Sequence, residues 1–340
     1  MRKLPNCYWT LLVFLVLMAG CDTGEHLNIY SSRHYDTDLD LFDKFTEETG
    51  IQVNLIEGGS DELIERIKNE GVNSPADIVI TVDAGRLWRA KEAGILQALH
   101  SRRMEERLPE ELIDPERYWF GLSQRVRGVI YNRDRVDPDE LDGYWELADE
   151  KWSGRICVRS SGNIYNQSLV ASLIETHGIE DTEEWARRLV ANFARSPQGG
   201  DTDQIRAVAA GQCDIALANH YYLARLYNSA RNADREVAEQ VGIYFPGQQH
   251  SGAHVNISGA GLAAHSPNIE NAVLFMEYLT MPESQQLFAG ANFEYPAVED
   301  VSLPEELVQF GRFESDAVNV SAYGRNNPDA IRLMDRAGWR

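Results

Sequence analysis

Positive charge is scarce in this chain. Its 32 Lys and Arg stand against 53 Asp and Glu, a formal charge of −21 at pH 7 over 340 residues. Nucleic-acid binding displaces phosphate counterions with clustered basic side chains, so a chain this acidic argues against nucleic acid as a partner. Cysteine is nearly absent as well. Cys7 and Cys21 lie near the amino terminus, which leaves only Cys157 and Cys213 for the body of the protein. One disulfide is therefore the upper limit there, and two buried free thiols fit the sequence equally well. Proline is held to 12 residues, whereas hydrophobic residues make up 43% and charged residues 25%. That balance excludes a fibrous repeat or a disordered tail and permits a sizeable core. No internal repeat is visible, and no Gly-x-Ser-x-Gly elbow, phosphate loop or His-Glu-x-x-His helix is present. Without a nucleophile and its base the chain reads as a non-enzyme. At roughly 150 residues per domain its length implies two domains.

The one long uncharged stretch stands at the start. Arg2 and Lys3 precede residues Leu4 to Gly20, whose centre from Leu11 to Met18 is nearly all apolar. It is short for the roughly 20 residues of a membrane span and ends in small residues, the pattern of a cleaved export signal. Leu17-Met18-Ala19-Gly20-Cys21 resembles a bacterial lipobox. The resemblance implies a lipid on the Cys21 thiol, removal of residues 1–20, and a mature chain in the periplasm, anchored to the cell membrane. A plain secretory signal or an uncleaved anchor would equally leave the remainder outside the cytoplasm. Loss of Arg2 and Lys3 takes the formal charge to −23.

From Leu27 onward, short apolar runs alternate with amphipathic stretches. Leu27–Tyr30, Ile51–Ile56 and Ala76–Val82 read as strands. Leu39, Phe42 and Phe45, then Leu63, Ile64 and Ile67, form helical stripes, and Leu87–Ala93 completes a β-α-β-α-β-α series. Such alternation predicts an α/β fold with a mostly parallel sheet covered on both faces. A second series follows, with strands at Val126–Tyr131, Gly154–Val158, Ile215–Ala218, Val241–Phe245 and Val255–Leu262. Helices are expected at Leu169–His177, Trp185–Phe193, Gln204–Ala210, Ala272–Leu279 and Glu283–Ala289, and the last fifty residues look polar and less regular. Extended segments near Arg125–Tyr131 and Phe245–Gly259 suit crossings between two lobes. The expected division is 27–125 plus about 250–290 for one lobe and 126–249 plus about 291–340 for the other. Ligands of open α/β sheets sit beyond strand carboxyl ends, so the residues following the strands are the first candidates.

Those positions hold tyrosines. Ser31-Ser32-Arg33-His34-Tyr35-Asp36 follows the first strand, Ser160-Ser161-Gly162-Asn163-Ile164-Tyr165-Asn166 follows the strand near Cys157, and Asn219-His220-Tyr221-Tyr222-Leu223-Ala224-Arg225 follows Ile215–Ala218. A single tyrosine at a loop–helix boundary is more often a packing residue with a wet hydroxyl. A consecutive pair says more. Neighbours on a strand point to opposite faces, whereas at a helix start they lie about 100° apart, so Tyr221 and Tyr222 can reach one point.

Beyond the tyrosines, several longer segments carry a family resemblance. They are Asn28-Ile29-Tyr30-Ser31-Ser32-Arg33-His34-Tyr35, Phe45-Thr46-Glu47-Glu48-Thr49-Gly50-Ile51, Ala76-Asp77-Ile78-Val79-Ile80-Thr81-Val82-Asp83-Ala84-Gly85-Arg86-Leu87, Asn163-Ile164-Tyr165-Asn166-Gln167-Ser168, Asn219-His220-Tyr221-Tyr222 and His254-Val255-Asn256-Ile257-Ser258-Gly259-Ala260-Gly261. In this order they resemble the ferric-iron-binding proteins of bacterial ATP-driven importers, especially the cyanobacterial-type branch, over residues 27 to 300. The resemblance implies the two-lobed periplasmic solute-binding fold of type II with its ligand cleft between the lobes. It implies Fe³⁺ as cargo, an ABC-type permease with its ATPase as partner, and a monomer. Tyr35, Tyr165, Tyr221 and Tyr222 match the iron-ligating tyrosines, and His34 matches an additional ligand or stays outside a tyrosine-only shell.

The chemistry agrees with that implication. Fe³⁺ is a small, hard cation suited to anionic oxygen rather than thiolate, and a bound metal displaces phenol protons that otherwise leave near pH 10. Four phenolates around Fe³⁺ leave one negative charge for a nearby guanidinium to offset. Arg125 and Arg225 are the candidates, the alternative being salt bridges on the lobe surfaces. Rival readings remain within reach. Gly58-Gly59-Ser60 suits an anion seat at a helix start, which would make the chain a binding protein for a small anion. His34, His220, His250 and His254 lack the close spacing of a zinc site. A lipoprotein that only sequesters iron would need the same fold and no permease.

Overall fold

The computed structural model describes residues 25–33, 35–299 and 301–340. The export signal, Cys7, the lipobox with Cys21, and His34 lie outside the described residues. Ten strands make up the sheet: β1 His26–Ser31, β2 Gln52–Glu57, β3 Ile78–Val82, β4 Leu96–Gln97, β5 Phe120–Asn132, β6 Ile156–Cys157, β7 Ile215–Asn219, β8 Val241–Tyr244, β9 Val255–Ala263 and β10 Tyr295–Pro296. Their path runs β2-β1-β3-β9-β5-β7-β6, with β4 beside β9 and with β8 and β10 beside β5.

The sheet is mixed rather than mostly parallel. β1 pairs parallel with β2 and β3, and β6 with β7, because each of these pairs is joined by a helical crossover. β9 returns from far along the chain and runs antiparallel to both β3 and β5. β5 is twice the length expected from its apolar run, and it serves two partners. Phe120–Val126 pairs with β9, and Arg127–Asn132 pairs with β7 and β8. The change of partner falls between Val126 and Arg127. β10 pairs with Ser123 and Gln124, so the segment just past residue 291 joins the first half of β5.

Helices cover the sheet. Gly50, with φ 78°, ends helix Asp36–Thr49 in the left-handed conformation that glycine adopts without Cβ strain. Phe42 and Phe45 of that helix meet Phe275 of helix Ile269–Leu279 edge to face, with centroids 5.3 and 4.9 Å apart. Gly259 lets β9 pass closely: a Cβ there would lie 2.7 Å from the Phe120 carbonyl oxygen and from Leu87. Cys157 in β6 and Cys213, two residues before β7, are joined as a disulfide with Cα atoms 5.8 Å apart. Among the described residues no helix is long and apolar enough to cross a membrane.

The carboxyl-terminal fifty residues are more ordered than their polarity suggests. Helix Asn327–Ala337 buries Ala330, Leu333 and Met334, a spacing of three and four that puts them on one face. Trp339, fully buried, follows it. Its ring meets Phe193 edge to face at 5.5 Å and its indole N–H donates to the Arg159 carbonyl at 2.8 Å. Trp339→Ala should cost about 3–5 kcal/mol, the usual cost of emptying a buried aromatic site. A thermal melting midpoint equal to that of the unaltered protein would contradict this packing account.

Candidate metal centre

Three junctions carry the tyrosines, and each is built the same way. A buried strand ends, the chain turns, and a helix begins. Tyr35 is the last extended residue before helix Asp36–Thr49. Tyr165 is the second residue of helix Ile164–His177, which starts five residues earlier than its apolar stripe indicates because Asn163 caps it, accepting from the Tyr165 N–H at 3.2 Å. Tyr221 and Tyr222 lie in the first turn of helix His220–Tyr227, directly after β7.

The structure brings all four together. The Tyr221 hydroxyl donates to the Tyr165 hydroxyl at 3.4 Å, and the rings of Tyr221 and Tyr222 lie 4.4 Å apart. Arg125 Nη2 donates to the Tyr35 hydroxyl at 3.4 Å, and its guanidinium lies 4.7 Å from the Tyr221 ring centre and 5.5 Å from that of Tyr165. Arg225 stands 5.3, 5.0 and 5.7 Å from the ring centres of Tyr35, Tyr221 and Tyr222. Both arginines thus face tyrosines. Neither cation adds a ligand, but each places positive charge where phenolate charge would collect.

Arg125 is buried, and its ion pair is internal rather than on a lobe surface. Its Nε meets Glu294 Oε1 at 3.1 Å. Glu294, fully buried, also holds Arg33 Nη1 at 3.1 Å and accepts from Ser258 at 3.1 Å and from Ser123. Burial alone would raise this carboxyl, yet Arg33, Arg125 and the two hydroxyls overcome it and hold it at about 2. Stability from the lowered Glu294 value is fully present above the ordinary carboxylate range and fades as pH falls toward 2. Arg33 makes a forked pair with Asp38 at 2.9 and 3.1 Å.

The phenols differ in readiness to ionise. Burial favours the neutral form of Tyr165, but the charge of Arg125 and the hydrogen bond from Tyr221 outweigh it and leave Tyr165 below the ordinary value. Burial dominates at the other two. It drives Tyr221 well up, and with the charges of Tyr165 and Asp201 it raises Tyr222 to about 12. Tyr165 therefore loses its proton before Tyr221 and Tyr222, and the Tyr221 hydroxyl is placed to donate to it.

The remaining histidines lie elsewhere. His220 is buried and doubly bonded: its Nδ1 accepts from the Val126 N–H at 3.1 Å, which leaves Nε2 to donate to the Phe293 carbonyl at 2.8 Å. Burial lowers it to about 4, so it is neutral with both nitrogens occupied. His254 is likewise buried, and His250 is exposed, 3.6 Å from Asp142. Among the described residues no group of three or more His, Cys, Asp or Glu could hold a metal. At the proposed anion seat, Ser60 Oγ lies 2.8 Å from both Ser32 Oγ and Thr81 Oγ1, so these hydroxyls satisfy one another.

Sequence reasoning missed Glu294 and Arg33, whose buried pairing holds Arg125 beside the tyrosines. Glu294 lies some 70 residues beyond the tyrosine pair without any periodic or motif signal, and only its burial beside Arg125 marks it.

Comparison with known proteins places this geometry in context. The model of the bacterial extracellular solute-binding protein family matches residues 40–313. Iron uptake protein A1 of Synechocystis is 50% identical over 316 residues, covering 93% of this chain and 88% of the relative. A Trichodesmium structure described as IdiA or FutA in complex with iron and citrate ligands superposes with a TM-score of 0.92 at 57% identity, covering 93% of this chain and all of that one. Apo FutA2 from Synechocystis gives 0.90 at 49% identity, covering 93% of this chain and all of its own. The fold therefore has a family, and the chain belongs to the bacterial extracellular solute-binding proteins.

Proposed function

We propose that the protein captures Fe³⁺ outside the cytoplasm and passes it to an ABC-type permease. The observation that carries this reading is the convergence of Tyr35, Tyr165, Tyr221 and Tyr222 from three separate junctions, with Arg125 and Arg225 against their rings. A hard trivalent ion takes anionic oxygen, and phenols supply it once the metal has driven off their protons. The ligands would be those four tyrosines with His34 as a further donor, and the two arginines would offset the surplus phenolate charge. The iron uptake protein and the iron-bearing structure among its relatives support Fe³⁺ as the cargo.

The lobes divide as 27–125 plus about 250–290, with β10 added, and 126–249 plus the carboxyl-terminal helices. Tyr35 comes from the first lobe and the other three tyrosines from the second, so the closed arrangement binds metal better than the open one and loading shifts the equilibrium toward closure. The closed form is then what the permease reads. Cys21 carries the lipid that keeps a monomeric protein at the membrane, and its role is delivery rather than catalysis.

Replacing Tyr221 and Tyr222 together by Phe keeps the rings and removes two phenolates. Ferric affinity measured by competition with a chelator should fall by more than ~100-fold, beyond the usual effect of losing a supporting residue. Unchanged affinity would overturn the assignment. Proton release gives a second check. Tyr222, raised to about 12, is protonated at pH 7 and must surrender its proton to the metal, so affinity rises with pH. Loading from one ferric chelate in an indicator-dye solution should release about one proton fewer in Tyr222→Phe than in the unaltered protein. Equal release would exclude Tyr222 as a ligand.

A further inference from the structure

Arg127 takes no part in the cluster described above, yet both of its terminal nitrogens are engaged inside the protein, and only its buried Nε is left without a partner. It is buried in β5 at the first residue after the change of strand partner. Its Nη1 donates to Asp201 Oδ2 at 2.7 Å and to Asn219 Oδ1 at 3.0 Å, and its Nη2 donates to Asn166 Oδ1 at 2.7 Å. Those two asparagines belong to the tyrosine junctions. Asn166 follows Tyr165, and its Nδ2 fastens the preceding turn through the carbonyls of Arg159 at 3.0 Å and Ser160 at 3.2 Å. Asn219 precedes the tyrosine pair, and its Nδ2 donates to the Tyr221 hydroxyl at 3.3 Å. Asp201 closes the arrangement by accepting from the Asn219 N–H at 2.8 Å.

The backbone of Arg127 is held from the other side. Its N–H donates to the His254 carbonyl at 3.1 Å, and its own carbonyl accepts from the Tyr144 hydroxyl, which in turn accepts from the His254 N–H at 3.1 Å. His254 directly precedes β9, on the stretch where the chain passes from β8 to β9. One residue thus touches the crossing strands with its main chain and two ligand-bearing junctions with its side chain.

We propose that Arg127 is the positioning residue that sets the approach of Tyr165 to Tyr221 and ties it to the strands crossing between the lobes. The proposal rests on the ferric reading for its consequence, not for its geometry. A guanidinium is needed because its forked donors meet three acceptors at once, whereas an ammonium on a flexible stem cannot span them. Supporting partners of metal ligands usually matter about 10–100-fold in affinity, which sets the expected effect.

The test uses Arg127→Lys and Asn219→Ala in the mature chain. Asn219→Ala leaves the Arg127–Asp201 pair intact and cuts the side-chain link that runs from Arg127 through Asn219 to Tyr221. Two quantities are read: the tyrosinate-to-iron absorption band together with ferric affinity, and the separation of the Tyr165 and Tyr221 hydroxyls in iron-free crystals, 3.4 Å here. Each variant should bind Fe³⁺ about 10–100-fold more weakly with a shifted or weakened band, and its two hydroxyls should stand beyond hydrogen-bonding range. Unchanged affinity, band and separation would overturn the proposal. If Arg127→Lys does not fold, Asn219→Ala decides by the same criteria. If the unaltered protein develops no band, the ferric reading fails, while the hydroxyl separation still decides the positioning role.

Discussion

A carboxylate sealed from water governs the site. Glu294 is buried among two guanidiniums and two hydroxyls, and a buried charge persists only when its partners replace the water it has lost. Its two arginines come from the turn just after the first strand and from β5, the strand that pairs with both β9 and β7. Pinning Arg125 aims the rest of that guanidinium at Tyr35, Tyr165 and Tyr221. Burial works against Tyr165, but the same charge and the hydrogen bond from Tyr221 hold it below its ordinary value, whereas burial outweighs that charge at Tyr221 and Tyr222. Removal of Glu294 would leave Arg125 buried without its carboxylate and Arg33 with Asp38 alone, so the geometry of the tyrosines and the solvation of the arginines are one problem.

A second buried ion pair performs the same service where β5 runs beside β7. Arg127 and Asp201 neutralise each other, and their leftover hydrogen-bonding capacity fastens Asn166 and Asn219. The disulfide lies nearby in the chain, joining β6 to the approach of β7, the two strands that lead into Tyr165 and the tyrosine pair. Tyrosines from distant parts of the sequence are thereby carried at helix starts that follow buried strands, which is the arrangement a binding site needs if closure is to bring ligands together in one geometry.

Much of this was legible in the residues. The strand-to-helix punctuation located the three junctions, and the adjacency of Tyr221 and Tyr222 at a helix start marked them as convergent. The resemblance of six ordered segments then named the family to which the chain proved to belong. What the sequence did not disclose has physical reasons. Strand direction depends on partners far along the chain, so the strand at Val255–Ala263 was legible but its antiparallel direction and the double role of β5 could not be read from alternation. The amphipathic stripe of Asn327–Ala337 is short and diluted by charge, and only packing makes it a core helix. Glu294 and Arg127 carry no local signature because their importance lies in what surrounds them after folding.

The central claim is that phenol oxygens hold the cargo, and X-ray absorption at the iron edge of the loaded protein tests it most directly. The account predicts one iron per chain in a first shell of oxygen and nitrogen alone, with outer scattering from several tyrosine rings. A sulfur scatterer in the first shell, or iron whose outer shell shows no ring carbons, would contradict it.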